Sequence, residues 1–248
     1  MKMLTEPTME KLKAMRLEGM SAAWQEQLQS PKTHALAFDE RLALLVDAEW
    51  TYRENARFKR ALRDAKLKLG QACVEDIDYP AKRELDKAVV RQLASCRWIQ
   101  EHQSILITGA TGVGKSYVAC ALAQQACRKG FRAVYRRASR LFEELKLARA
   151  DGTYPRLLTR FARIDVLVID DFAIQPITDA QRSDLLEVLE DRYGARSTIV
   201  TSQLDPKNWH DYLADPSLAD AICDRLLSNA HRLVLKGPSR RKETQPQN

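Results

Sequence analysis

Gly109-Ala110-Thr111-Gly112-Val113-Gly114-Lys115-Ser116 satisfies the pattern Gly-x-x-x-x-Gly-Lys-Ser/Thr, and what surrounds it decides the fold. Ile105-Leu106-Ile107 before it reads as a short buried strand. Residues 115–129 after it read as a helix ending at Gly130. Glycines permit backbone angles that aim successive N–H groups inward, and the following helix adds its positive N-terminus. Such a loop cradles the phosphates of a nucleotide. Lys115 is placed to reach the β- and γ-phosphates, and Ser116 to put its hydroxyl on Mg²⁺. The expected contacts run from Gly109 through Ser116 to Tyr117.

Downstream, short apolar runs alternate with helical stretches. Ala133-Val134-Tyr135 is a second strand, Val166–Ile169 a third, Thr198–Thr201 a fourth and Arg232–Leu235 a fifth. Helices are expected over 139–149 and 178–193. Strand–helix alternation implies a parallel sheet covered on both faces. The third strand ends in Asp170-Asp171. Asp170 is expected to hold Mg²⁺, directly or through water, and Asp171 to orient or deprotonate the attacking water. Asp171 replaces the commoner Glu and has a shorter reach. Thr201-Ser202-Gln203 closes the fourth strand, where a polar side chain can touch the γ-phosphate or its water.

The remaining composition sets limits. The 248 residues are 45% hydrophobic and 29% charged, enough for a sizeable core. Five dispersed cysteines, with no Cys-x-x-Cys pair, fit a reducing cytoplasm and no zinc site. No apolar run approaches a membrane span, and the first residues carry no secretory h-region. The net charge of +7 is uneven. Residues 125–149 carry 8 basic and 2 acidic side chains, whereas residues 150–224 carry 7 and 14. A polyanion would therefore meet particular faces.

Residues 1–70 read as helical, with Leu17, Met20, Trp24 and Leu28 lining one face. A later helical stretch carries Arg53, Arg57, Arg60 and Arg63 on one side, either a solvated face or a phosphate-backbone contact. Arg132, Arg136, Arg137, Arg140 and Lys146 form a second basic set. Tyr135 is the one aromatic near them, which favours duplex DNA over base-stacked single strands.

The order phosphate loop, acidic pair, strand-end Thr-Ser-Gln, Asp224-Arg225-Leu226-Leu227 and Gly237-Pro238-Ser239-Arg240-Arg241 resembles the AAA+ ATPases, and among them the group containing the DnaC helicase loader. Arg60–Leu69 followed by Ala72–Tyr79 is more similar to the IstB transposition helper ATPases of bacterial insertion elements. The resemblance implies an α/β fold: a five-stranded parallel AAA+ P-loop sheet sandwiched by helices over 71–248, with a small all-α N-terminal domain over 1–70. It implies Gln203 or Ser202 as first sensor, Arg225 as an arginine finger acting in a neighbouring subunit, and Arg241 as second sensor. Ile77 and Tyr79 would pack against adenine. ATP and Mg²⁺ are the implied cofactors. Double-stranded DNA, a transposase and further copies of the chain in a ring or spiral are the implied partners. A replicative helicase loader is the alternative function.

Overall fold

The structure is a computed structural model and describes residues 2–240. Arg241, the expected second sensor, lies outside the described residues. The chain forms two compact units, Met1–Arg60 and Ala61–Asn248. The sequence reading drew its division at 70, ten residues into the second of these.

The first unit contains α1 (Lys2–Ala14), α2 (Glu18–Gln29), α3 (Pro31–His34) and most of α4 (Phe38–Ala65). Helices α2 and α4 touch through Gly19, where a Cβ would stand 2.6 Å from the Ala48 carbonyl oxygen. The buried Glu49 of α4 accepts from the Met20 backbone N–H at 3.0 Å and from Arg53 at 2.6 Å. Burial alone would raise the Glu49 pKa; these hydrogen bonds outweigh it and hold the carboxyl below its ordinary value. The face read at Leu17, Met20, Trp24 and Leu28 is only half-buried. Gly19, Ser21 and Gln27 take the interior of α2.

In the second unit, α5 (Lys87–Ala94) and α6 (Arg97–Gln100) precede the alternating part. That part runs β1 (Ser104–Gly109), α7 (Lys115–Arg128), β2 (Ala133–Arg137), α8 (Ala138–Asp151), α9 (Tyr154–Ala162) and β3 (Val166–Phe172). It continues with α10 (Asp179–Glu190), β4 (Ser197–Ser202), α11 (Trp209–Leu213), α12 (Pro216–Leu227) and β5 (Ala230–Leu235). The five strands are parallel in the order β2-β3-β4-β1-β5. All five strands read from the sequence are present. Helices α5, α6, α9, α11 and α12 were not read from it.

The apolar runs explain the layers. Alternate strand residues point to opposite faces. Leu106, Leu167, Ile169 and Val200 join a buried cluster with Phe142 and Leu145 of α8, Leu185 and Leu189 of α10, and Ile222 and Leu226 of α12. Their neighbours Ile105, Ile107, Val166, Val168 and Ile199 are equally buried on the other face. There α7 packs across β1 to β4 with α5 behind it. Each such side chain contributes roughly 1.5–3 kcal/mol on burial. Helix starts are fixed by side-chain caps: Asp86 for α5, Thr178 with Gln181 in a reciprocal box for α10, and Asp215 ahead of Pro216 for α12.

Candidate nucleotide-binding site

Strand β1 lies between β4 and β5 and delivers the glycine-rich loop at its C-terminal end. Gly109, Gly112 and Gly114 all adopt positive φ, which the loop needs to turn its amides inward. Gly112 also admits a close neighbour: a Cβ there would stand 2.1 Å from Ser239 Oγ. Arg240 donates its backbone N–H to the Gly112 carbonyl at 3.0 Å, so the segment after β5 lies on the loop. Lys115, at the first position of α7, is buried and donates to the carbonyls of Gly109 and Ala110 at 2.7 and 2.8 Å. Val113 is fully buried, and Tyr117 lies half-buried in the first turn of α7.

Strand β3 brings the acidic pair. Its register with β4 shifts between Ile169 and Phe172, and Asp171 sits at φ 61°. This irregularity re-aims two successive carboxylates at the site. Asp170 is fully buried and accepts from Ser116 at 2.8 and 3.0 Å, from Thr201 at 2.6 Å, and from Tyr135. Burial would raise the Asp170 pKa; the three hydroxyls, with Lys68 nearby, outweigh it and hold the carboxyl below its ordinary value. Asp170 is therefore an ionised, fixed acceptor.

Ser116 and Asp170 supply hard oxygen atoms within hydrogen-bond distance of each other, the donor chemistry Mg²⁺ requires. Among the described residues no group of three or more His, Cys, Asp or Glu could hold a metal by itself. A metal here would share its ligands with phosphate oxygens.

Asp171 faces a different set. Its N–H donates to Thr201 Oγ1 at 3.0 Å, and its carboxylate meets Arg137 Nε at 3.1 Å and Lys68 Nζ at 4.0 Å. Lys68 also lies 3.6 Å from Asp170. Gln203 accepts from Thr111 Oγ1 at 2.6 Å, joining the end of β4 to the phosphate loop. Ser202 is buried, and its hydroxyl is spent on the Phe172 carbonyl. Gln203 is thus the polar strand-end group beside the glycine-rich loop. A cavity of about 430 Å³, walled by Thr111, Asp171, Gln203, Arg137, Phe142 and Ile174, opens next to it.

The residues expected near adenine divide. Ile77 is buried and Tyr79 half-buried, and Lys87 stands 5.7 Å above the Tyr79 ring. The residues flanking Tyr79, Asp78 and Pro80, line a cavity of about 140 Å³ with Arg83, Val113, Pro238 and Arg240.

The basic residues separate into three groups. On α4, Arg53 pairs with Glu49 and Arg57 with Glu54 at 3.4 Å, while both stay exposed; Arg60 and Arg63 are exposed too. Arg132 and Arg140 are exposed and engage Asp165 and Glu143, and Lys146 is exposed on α8. Arg136 and Arg137 behave differently. Arg136 is only 12% exposed, bound to Glu144 at 2.6 Å, so it holds β2 to α8 and offers little to a polyanion. Arg137 turns to Asp171. Tyr135 is buried with its hydroxyl on Asp170, which removes it as a base-stacking platform.

Arg225, near the end of α12, meets Glu190 at 2.6 Å and lines a cavity with His102, Ser104, Tyr193, Arg196 and Asn229. Ser104 begins β1, whereas Gly109 at the other end of that strand begins the phosphate loop. Five residue-to-residue steps of strand separate them by roughly 16 Å.

Lys68 and Tyr135 were not assigned to this site from sequence. Neither belongs to a motif: one precedes the loop by more than forty residues, and the other sits on a neighbouring strand.

Comparison with known proteins agrees with this geometry. The family model described as IstB-like ATP binding protein matches residues 10–248. The insertion sequence ATP-binding protein y4pL of Sinorhizobium fredii is 45% identical over 97% of this chain and 98% of its own length. An ATP-binding protein of insertion sequence IS1162 from Pseudomonas fluorescens is 47% identical over 82% of this chain and 87% of its own length. Among solved structures, the DnaC helicase loader superposes with a TM-score of 0.54 at 21% identity, covering 66% of this chain and 97% of that one. AMPPCP-bound DnaA from Aquifex aeolicus gives 0.57 at 17% identity, covering 67% and 50%. The sheet is that of an AAA+ P-loop protein, and these two likenesses speak to fold alone.

Proposed function

The chain belongs to the IstB-like ATP binding proteins, and from that premise we propose that it is an ATPase which oligomerises on duplex DNA and recruits or stimulates a transposase. The observation that carries the oligomer is the place of Arg225. Its own phosphate loop stands at the far end of β1, so its guanidinium serves a nucleotide held by a neighbour. An isolated protomer then lacks part of its catalytic site.

Each residue has a defined task in hydrolysis. The loop amides and Lys115 bind and orient the phosphates. Ser116 and Asp170 would hold Mg²⁺, which would supply positive charge against the transferred phosphoryl group. Gln203, beside Thr111, positions the attacking water or the terminal phosphate. Asp171 orients that water and takes its proton, with Arg137 and Lys68 setting where its carboxylate points. Arg225 of the adjoining protomer stabilises the transition state.

Two features support DNA and partner contact. Arg53, Arg57 and Arg60 are exposed along one helix, a spacing suited to phosphates and free of base reading. Earlier on that helix Phe38, Leu42, Val46 and Trp50, four residues apart, are also exposed, which supports a protein contact. Family membership and the insertion-sequence relatives favour a transposase over a replicative helicase.

Mixing variants tests the shared site. Lys115→Ala and Arg225→Ala should each be nearly inactive alone. Combined, they should recover phosphate release to about one quarter of wild type at equal ratio, because that share of interfaces is intact in a head-to-tail assembly. No recovery at any ratio sinks the shared site. Stimulation of purified transposase by the wild-type chain, with ATP and target DNA, tests the partner.

A further inference from the structure

Arg83 lies between the 77–80 segment and the phosphate loop, and no sequence motif announces it. It is only 4% exposed. Its Nη1 donates to the Asp78 carbonyl at 2.7 Å, and among the described residues its Nε has no hydrogen-bond partner. Its Nη2 stands 2.6 Å from where a Cβ on Gly114 would be. Gly114 caps the 14-residue α7, whose first amides have no acceptor within the helix.

Positive charge converges here. Arg240 is close enough to Arg83 to disfavour its charged form, after the larger effect of burial, and both hold its pKa below the ordinary arginine value. The nearby carboxylate, Asp78, is engaged by Arg240 at 2.6 Å. A buried guanidinium with an unspent donor, aimed at a helix N-terminus, is a built anion site. Arg83 also walls the 140 Å³ cavity whose apolar sides are Pro80, Val113 and Pro238, a space of the size of a purine base. It therefore bridges that cavity and the phosphate loop.

We propose that Arg83 binds the α-phosphate of the nucleotide, the phosphate nearest the base. This rests on the reading of the chain as ATP-binding. The planar fork can keep Nη1 on the Asp78 carbonyl while Nε and Nη2 face the phosphate oxygens.

Titration calorimetry in Mg²⁺-free buffer with AMP, ADP, ATP and adenosine tests it. In Arg83→Gln, affinity for all three nucleotides should fall by about tenfold or more, as for loss of a charge-assisted contact, and adenosine binding should not change. Arg83→Lys, which keeps the charge without the fork, should recover part of the loss. Nucleotide affinities within twofold of wild type, in a variant with unchanged melting, overturn the assignment. So does a loss confined to ATP, or to ATP and ADP with AMP intact, which would move Arg83 to another phosphate. Wild-type protein that binds no ADP refutes the nucleotide reading itself, a distinguishable failure. Should the substitutions prevent folding, the Nε–H resonance of Arg83 in the wild-type chain, assigned through its backbone, decides. It should shift with AMP and ADP and not with adenosine; no shift overturns the proposal.

Discussion

Asp170 shows how much a single carboxylate depends on its neighbours. Three hydroxyls, from Ser116, Thr201 and Tyr135, keep it ionised without any exposure to water. Tyr135→Phe removes one donor and should cost about 1.5–3 kcal/mol, the worth of a hydrogen bond to a charged group. The sign of the pH effect follows from a depressed native pKa. The stabilisation is present above the unfolded carboxyl value near 4 and is lost as pH falls through the native one. The gap in urea midpoint between wild type and Tyr135→Phe should thus be widest near pH 7 and narrow on acidification. A gap that widens on acidification contradicts this account. Of this constellation, Ser116 and Asp170 were legible because each belongs to a local pattern tied to a strand end. Tyr135 was not, because its role arises only when β2 pairs with β3 and places Arg137 opposite Asp170. Arg83 and Lys68 were hidden for the same reason: loops far away in sequence deliver them.

At the scale of elements, strands were easier to read than helices. Ile105–Ile107 and Val166–Ile169 are fully buried runs bounded by turns, and the sheet leaves them no alternative. Helix α9 escaped because Thr153-Tyr154-Pro155 looks like a turn, although Pro suits the first position of a helix. What fixes the end of α9 is also non-local. Arg192, 1% exposed, donates from Nη1 to the carbonyls of Phe161 and Ile164 at 2.6 and 2.8 Å. It reaches Thr198 Oγ1 at 3.1 Å and the Ser197 carbonyl as well, tying α9 to the start of β4. Arg192→Met keeps much of the volume but leaves those carbonyls without a donor. Each orphaned group costs about 1–3 kcal/mol, so the variant should lose more than roughly 3 kcal/mol in chemical denaturation. A loss under 1 kcal/mol would show that this guanidinium is dispensable. The glycine loop has its own constraint: Gly112→Ala combines φ 86° with a collision against Ser239, and should weaken nucleotide binding before it affects the melting of the sheet.

For the whole molecule, the cysteines report on integrity. Cys96, Cys120, Cys127 and Cys223 are buried, and burial pushes the thiols of the first three up to about 11. Cys73 is half-buried, with its thiol bonded to Asp76 at 3.0 Å. Iodoacetamide at neutral pH should label Cys73 first, and the other four only at the rate of unfolding, read by mass spectrometry. Early labelling of Cys120 would mean that the layer over α7 opens on its own. Charge acts at this scale too. If the α4 arginines contact phosphates, replacing Arg53, Arg57 and Arg60 by Gln should lower the salt slope of duplex binding by about three, one counterion apiece. The basic row was legible in the sequence, but the loss of Arg136 to Glu144 was not, since that pairing depends on how α8 folds back on β2.

The position of Arg225 at the opposite end of β1 from the phosphate loop has one more consequence. If Arg225 completes a neighbour's site, as proposed, the contact has a head and a tail, so an open row of n copies contains n − 1 finished active centres, whereas a closed circle contains n. Turnover per copy on short duplexes should therefore climb with duplex length and level off if the row is open. It should stand at its ceiling from the first complete turn if the circle closes.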